Sequence, residues 1–386
     1  MRIFVLGAGA TGAFLARLLG RQGHVVWVGD RNPDRARRFL PDSIACRQVN
    51  ARNLRAVVRT ADGCHLLVNA VPAVFNQILL RAALRLRAHY VDMAAHLGRS
   101  PFKAEQLRFH KRFVKKRRVA LINAGAAPGI TNLLVARSAD HLDAVEQVQI
   151  RLYESIDSKD PVSTWSAESA FDEAISVPRI YRAGRFHLGR RFSEPEWFHF
   201  PSPIGRARVV LAAQEEVGTL PYFIPMRDLD VKIGGNEIDR LRRWYRQGKL
   251  RPSRGLVAAR FPMTPTPRQV ARMMRRRQLS NARFAMVVAV AGRKGKQRWL
   301  LRWFCFFPTL HQIRLKGIHA TPIAYATAQA ADLFIKHVPH TLYGVHPPEA
   351  LPIESRQQIM AGIRSRSIRI AFRATRLKQT EEEEEI

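Results

Sequence analysis

The chain has 386 residues, 46% of them hydrophobic and 25% charged, a mixture that excludes wholly disordered, collagen-like and coiled-coil architectures and has length for two domains or three small ones. Its 64 Lys and Arg against 31 Asp and Glu give a net charge of +33, which raises nucleic acid, a membrane surface or an anionic small molecule as partners. Cys46, Cys64 and Cys305 are odd in number and widely spaced, excluding a disulfide framework or a cysteine zinc site and pointing to a reducing, cytoplasmic compartment.

Residues 3–6 form a short apolar run that breaks at Gly-Ala-Gly-Ala-Thr-Gly, after which Phe14, Leu15, Leu18 and Leu19 recur with helical spacing. A second β-branched run, 25–28, ends at Asp30, and Asn32-Pro33 opens a helix over 33–40. Strands are expected at 56–58, 66–70, 89–93 and 119–123, with helices at 75–86 and 102–116. Strands alternating with helices predict an α/β fold built on a Rossmann-type, doubly wound parallel sheet. After a helix at 130–141 the texture changes. Strands at 148–153, 208–211, 284–291 and 298–307 predict a second, α+β domain with a mixed or antiparallel sheet, with helices at 237–247 and 266–277 among them. Pro262, Pro265 and Pro267 mark a linker or exposed loop there. An alanine-rich helix is expected over 321–337, and the glutamate run at 381–385 is expected to be solvated. No stretch reaches the ~20 apolar residues that cross a bilayer, and the glycines after residue 6 would break the helix of a signal peptide. No membrane partner is therefore expected.

The glycine run is the strongest chemical signal, because G-x-G-x-x-G at Gly7, Gly9 and Gly12 lies between strand and helix, with an acidic residue ending the next strand. Gly7 permits the tight turn, Gly9 admits a pyrophosphate to the backbone, and Gly12 lets helix and strand approach closely. Ala10 and Thr11 open the helix, whose free N–H groups face the anion. Asp30, 18 residues after Gly12, suits the ribose hydroxyls and points to NAD. Arg31 and Arg35 could attract a 2′-phosphate and keep NADP open.

Ligands of such sheets lie at the carboxyl ends of the strands, where Asn69, Val71 and Pro72 and the run from Tyr90 to His96 are expected. Asp92 and His96 are candidates for a proton-transfer pair or for orienting an amine. Thr131 and Asn132 are expected to cap the helix after Pro128-Gly129. His337 and His340 share no acidic or cysteine partner in sequence, so no metal site is expected.

Several ordered segments resemble the saccharopine dehydrogenase-like proteins, which include saccharopine reductase, lysine 6-dehydrogenase and carboxynorspermidine dehydrogenase. These are the Gly7–Gly12 loop, Asn69-Ala-Val-Pro72, Tyr90-Val-Asp92, the run from Asn123 to Asn132, the stretch from Phe171 to Gly184, and Tyr343-Gly-Val-His-Pro-Pro-Glu349. The resemblance implies a Rossmann domain from 1–135 completed by 319–372, an inserted substrate-binding and dimerisation domain at 136–318, and a charged tail at 373–386. It also implies a homodimer and the reversible oxidation of an amine or secondary amine, at a CH–NH or CH–NH2 bond, through an imine, on an amino acid or polyamine-like substrate. Where the saccharopine and carboxynorspermidine enzymes carry an acidic residue before Pro-Gly, this chain has Ala127, which resembles the lysine-dehydrogenase-like branch.

A substrate carboxylate would need an arginine, and Arg151, Arg179 and Arg182 lie in the matching region. A substrate ammonium would need carboxylates, and Glu168, Asp172 and Glu173 cluster in otherwise basic surroundings. The basic runs at 108–118, 240–246, 272–277 and 364–376 are spread along the chain and accompany no nucleic-acid motif, so nucleic acid is not the expected partner. Two alternatives remain at this point. One is a catalytically silent NAD(P)-binding protein with a basic docking surface. The other is a ketopantoate-reductase-like 2-keto reductase, which shares the opening glycine pattern but has an all-helical second domain.

Overall fold

The computed structural model describes residues 1–98, 100–163, 166–249 and 264–377. Six strands lie in its first third: β1 (Arg2–Leu6), β2 (Val25–Asp30), β3 (Ala45–Gln48), β4 (Leu66–Asn69), β5 (His89–Asp92) and β6 (Val119–Leu121). With them run α1 (Ala10–Arg21), α2 (Pro33–Arg37), α3 (Leu54–Thr60), α4 (Asn76–Leu86), α5 (His110–Lys115) and α6 (Ile130–Ala139). The middle supplies β7 (Ala144–Ser158), β8 (Arg179–Arg182), β9 (Arg185–Leu188), β10 (Glu196–Phe200), β11 (Gly205–Leu211), β12 (Asp228–Gly234), β13 (Leu279–Lys294) and β14 (Gln297–Phe306). Its helices are α7 (Ala167–Ile175), α8 (Leu220–Phe223), α9 (Asn236–Arg246) and α10 (Pro267–Arg275). The chain closes with α11 (Leu310–Leu315), α12 (Pro322–His337), β15 (Gly344–His346), α13 (Ile353–Ser365) and β16 (Arg369–Leu377).

β1 sits inside a seven-stranded sheet of order β15-β6-β5-β4-β1-β2-β3, and all its pairings are parallel. Such sheets are covered on both faces, so their central strands read as continuous apolar runs. Ile3, Phe4, Val5 and Leu6 are all fully buried. On one face α1 packs against α12, with the Phe14 and Tyr325 rings 5.7 Å apart. On the other, Phe4, Leu67, Tyr90 and Phe113 share a second core. The strand order reverses between β1 and β4, the point where such sheets bind ligands.

A second, nine-stranded sheet runs β10-β11-β12-β7-β13-β14-β16, with β8 and β9 attached at β12. Its β12–β7 pair is parallel and its other pairs are antiparallel, so it is mixed. This sheet is incompatible with the all-helical second domain of the ketopantoate-reductase-like alternative. No helix of the described residues is long and apolar enough to cross a membrane.

Three expectations need correction. Residues 56–58 are helical, because the Asn53 side chain accepts from the Ala56 amide at 3.0 Å and starts α3, which buries Val57 against the sheet; the strand of this region is β3. The helix expected over 102–116 is a 3₁₀ turn, Glu105–Phe109, followed by the short α5. Residues 369–377 pair along β14 throughout, so the C-terminal return to the parallel sheet stops before β16, and part of the expected charged tail is an edge strand. Pro262 and the glutamate run lie outside the described residues.

Arg151 does not bind a substrate carboxylate. It projects from β7 with only 1% exposure, its Nε 2.6 Å from Glu196 Oε1 and its NH1 paired with Asp230, while Lys232 Nζ meets Glu196 Oε2 at 2.7 Å. Removing one member of a buried ionic cluster leaves its partners uncompensated. Arg151→Met is expected to cost about 3 kcal/mol in urea unfolding and to leave nucleotide affinity unchanged.

Candidate active site

The glycine loop is built from contacts that reject side chains at two positions and leave a third open. A Cβ on Gly12 would lie 2.0 Å from the Gly7 carbonyl oxygen, and one on Gly7, whose φ is +103°, would lie 2.5 Å from the Ala70 carbonyl oxygen. A Cβ on Gly9 would meet nothing within 4 Å. Gly9 is the N-cap of α1 and supplies no side-chain cap, so the first-turn N–H groups face open space. Asp30 holds the loop in place: Oδ2 accepts from the Ala8 amide and Oδ1 from the Asn32 amide, both at 2.9 Å. Each oxygen retains a lone pair for a ribose hydroxyl. The open backbone, the uncapped helix end and the fixed carboxylate fit a dinucleotide. Arg31 is exposed on the following turn.

Beyond the loop, a cleft of about 520 Å³ opens between the carboxyl ends of the parallel strands and the mixed sheet. Thr11, Asn69, Val71, Pro72, Asp92 and His96 line it on the side of the first sheet, and Asp172 and Glu173 of α7 with Arg179 of β8 on the side of the second. The tertiary fold thus brings together candidates that lie up to 168 residues apart in sequence. The Glu168 side chain lies outside the described residues. Arg182 pairs with Glu194 at 3.0 Å on the surface and does not line the cleft.

Asn69 shapes the wall from within. Its Nδ2 donates to Asn76 Oδ1 at 2.6 Å and to the Tyr90 hydroxyl at 3.2 Å, and its Oδ1 accepts from the Val71 amide at 3.0 Å. Asp92 is 1% exposed at the end of β5; Oδ1 accepts from the Asn123 amide at 2.9 Å and Oδ2 from Gln106 Nε2 at 3.2 Å. Burial outweighs these bonds and pushes its carboxyl up to about 7. His96 Nδ1 lies 3.5 Å from Glu105 Oε1, and the His96 amide donates to Gln106 Oε1 at 3.3 Å. Gln106 therefore bridges the two expected proton-transfer residues, which do not touch each other directly.

The second sheet brings further carboxylates that the sequence reading missed. Glu154 and Glu215 line the cleft beside Glu173, which accepts from Gln214. Burial raises Glu173 well above the usual carboxylate range, and Glu215 and Glu154 push it further; burial and Glu216 push Glu215 up to about 8. Adjacent Glu215-Glu216 in an acid-poor chain was the available signal, the same one that singled out 168–173. Arg179, whose Nε donates to the Pro101 carbonyl at 2.6 Å, is the cleft's guanidinium among the described residues.

Behind this wall, Asn132 does more than cap α6, and the Thr131 hydroxyl serves Glu216 instead of capping the helix. Thr131 Oγ1 donates to Glu216 Oε1 at 2.8 Å, and Asn132 Nδ2 donates to Glu349 Oε2 at 3.0 Å and Thr219 Oγ1 at 3.2 Å. Asn132 Oδ1 accepts from the Gly129 amide at 3.0 Å. Glu216 and Glu349 are buried and pushed up to about 7, chiefly by burial. His337 faces Gln358 and His340 packs on His89. Among the described residues no three His, Cys, Asp or Glu are placed to hold a metal ion.

Two measurements test this geometry. Gly9→Ala is expected to weaken NADH or NADPH binding at least tenfold, read by nucleotide fluorescence, with little change in Tm, because the added methyl enters only the space left for a ligand. Gly12→Ala is expected to lower Tm, because its methyl collides with the backbone. The second measurement is stability against pH. Asp92, Glu216 and Glu349 have folded pKa values of about 7, above their unfolded values. The native state therefore holds protons that the unfolded chain has already lost, so stability falls as pH rises through that range, and Glu215, pushed up to about 8, prolongs the fall before it levels off. His89, held neutral to about 4, acts oppositely but only below pH 6.5. Between pH 6 and 8, Tm is expected to decline, and Asp92→Asn to flatten the decline.

The geometry agrees with the comparisons to known proteins. Residues 3–126 match the family model described as the saccharopine dehydrogenase NADP binding domain. The fold is similar to that of saccharopine dehydrogenase (L-Glu forming) from Saccharomyces cerevisiae, with a TM-score of 0.71 and 10% identity, covering 97% of this chain and 99% of that one. The DAP dehydrogenase of C. glutamicum aligns with a TM-score of 0.46 and 11% identity over 92% of this chain and 95% of that one. Residues 3–126 are therefore an NAD(P)-binding domain of the saccharopine dehydrogenase type, carried in a chain whose fold is saccharopine dehydrogenase-like over nearly its whole length.

Proposed function

We propose that this protein is an NAD(P)-dependent oxidoreductase acting through an imine on the CH–NH or CH–NH2 bond of an amino acid or polyamine-like amine. The observation that carries this reading is the single cleft that runs from the end of the glycine loop, past Asp92, to the carboxylates and Arg179 of the second sheet. NAD(P), when bound, supplies a hydride acceptor or donor at its nicotinamide. In the oxidative direction the substrate carbon loses a hydride and its nitrogen a proton, giving a C=N bond that water then opens to a carbonyl and an amine. Asp92 is suited to take that nitrogen proton, since a carboxyl with a pKa of about 7 exchanges protons at neutral pH. The Asn123 amide and Gln106 hold its two oxygens in fixed directions. Arg179 suits a substrate carboxylate, and Asp172 and Glu173 suit an ammonium. In this reading 1–135 and 319–368 serve the nucleotide, while 136–318 covers the substrate.

Fluorescence titration with NADH and NADPH, followed by reduction of the oxidised nucleotides across a panel of amino acids and polyamines, tests the proposal. Binding of at least one nucleotide and turnover of at least one amine are expected. Asp92→Asn is expected to lower kcat by about 10²- to 10⁴-fold with nucleotide affinity retained. If neither nucleotide binds, the reading is wrong; binding without turnover would instead identify a catalytically silent nucleotide-binding protein.

A further inference from the structure

The end of the parallel sheet opposite the glycine loop carries a row of cations. Four adjacent strands, β1, β4, β5 and β6, begin at or just after Arg2, His65, His89 and Arg118. Hydrogen bonds fix their register. The Arg2 amide donates to His65 Nδ1 at 3.2 Å, the His89 amide to the His65 carbonyl at 2.9 Å, and the Val119 amide to His89 Nδ1 at 3.1 Å. Arg118 donates to the carbonyls of Arg87 and Arg117, and the His340 ring packs 4.8 Å from His89. Tyr343, just before β15, ends the row. With strands roughly 4.8 Å apart, five strand ends span about 19 Å. In the sequence these cations fall in separate stretches, which is why nucleic acid is not expected there; strand pairing lines them up.

Little opposes this charge. Residues 43–139 hold 17 Lys and Arg against three acids, and Asp92 and Glu105 are buried, which leaves Asp62. In the second sheet, by contrast, Arg182, Arg283, Arg293 and Arg298 each lie within 3.0 Å of a carboxylate. Among the described residues no carboxylate comes within ion-pair distance of Arg2, Arg87, Arg117 or Arg118. Burial, and after it His340, Arg118 and His65, hold the His89 imidazole down at about 4, so the field along the row is positive. Arg87 and Arg117, at the ends of α4 and α5, both take a φ of +50°, a conformation that favours glycine. A cation near a helix C-terminus complements the helix dipole, but nothing in that effect requires the left-handed residue itself to be arginine.

A straight row of unpaired cations suits a partner whose negative charges repeat along a line. A nucleic-acid duplex carries one phosphate per roughly 3.4 Å of axis on each strand, so about five or six face the row. Tyr343, 38% exposed, is a single aromatic at one end, too little to stack the successive bases of an unpaired strand. The apolar faces of α4 and α5 are turned into the core, which leaves no helix face to enter a bilayer interface.

We propose that this row is a docking edge for the phosphodiester backbone of a nucleic-acid duplex, held by charge and without base contacts. It lies a five-residue strand away from the glycine loop, about 16 Å and beyond the ~8 Å over which exposed charges interact at physiological salt. Duplex and nucleotide therefore occupy separate sites, and duplex binding does not depend on the oxidoreductase reading.

Fluorescence anisotropy of a labelled DNA duplex of about 20 base pairs, titrated with the full-length protein over a series of salt concentrations, tests the edge. Wild type is expected to bind, with an affinity that falls steeply as salt rises. Arg87→Gly combined with Arg117→Gly is expected to weaken binding roughly tenfold or more and to reduce the slope of log K against log salt by about 1.8, the share of two phosphate contacts. Its Tm is expected to hold or rise, because glycine suits both left-handed positions, and NADH or NADPH titrations are expected to stay unchanged. Arg243→Gln combined with Arg246→Gln removes the same charge from two exposed positions on α9 and is expected to change affinity less than about threefold. Absence of duplex binding by wild type overturns the proposal. So does equal weakening by the two double variants, or an effect of the row variant confined to phosphatidylserine vesicles, which would identify a membrane surface as the partner. Should the glycine variant unfold, Arg87→Gln combined with Arg117→Gln carries the same comparison.

Discussion

The contact between Gly12 and the Gly7 carbonyl, where no side-chain carbon fits, is the constraint on which the rest of the molecule depends. It seats α1 directly against the end of β1, and this close seating turns the uncapped first turn of α1 toward open space. Asp30 completes the arrangement by accepting from the loop amide of Ala8 and from its own turn at Asn32. The reversal of strand order beside this loop leaves a crevice between β1 and β4, and the second sheet closes over it. A nucleotide at the loop and a substrate in the cleft would then lie end to end, with Asp92 between the two sheets.

The second organising force is electrostatic and runs against the composition. Most of the arginines are solvated, while the carboxyl groups of Asp92, Glu173, Glu215, Glu216 and Glu349 are enclosed with few cations beside them. Enclosure in a medium of low polarity disfavours the charged form, and nearby carboxylates disfavour it further, so these acids hold protons near neutrality. Such groups serve proton exchange and cation binding well and structural stability poorly. Arg151, fully enclosed by Glu196 and Asp230, shows the opposite solution on the far side of the same sheet, where charge is neutralised internally and no ligand is implied.

Much of this was legible in the sequence. Continuous apolar runs, glycines in strand-to-helix context and an acid at the end of the next strand carry their own local physics, and the parallel sheet follows them closely. The errors arose where local signals competed. Val57 and Val58 read as a strand by side-chain preference, but the Asn53 cap settled the segment as helix. Residues 373–377 read as part of a charged tail, because the edge strand they end buries little and needs no apolar alternation. Of the site, Asp92 and the 172–173 pair were visible as acids in unusual places, whereas Glu154 carries no local mark.

The sequence by itself determined the nucleotide loop and the parallel alternation, since each depends on residues within about thirty positions of one another in a βαβ unit, and it carried the family resemblance through short motifs in chain order. Only the tertiary structure decided which of the many arginines lines the cleft, which carboxylates are enclosed, and that Arg151 is internal. Those properties depend on what lies across a cleft from a side chain, and β7, α7, α9 and the Gln214–Glu216 turn meet there only after two separate sheets have packed together.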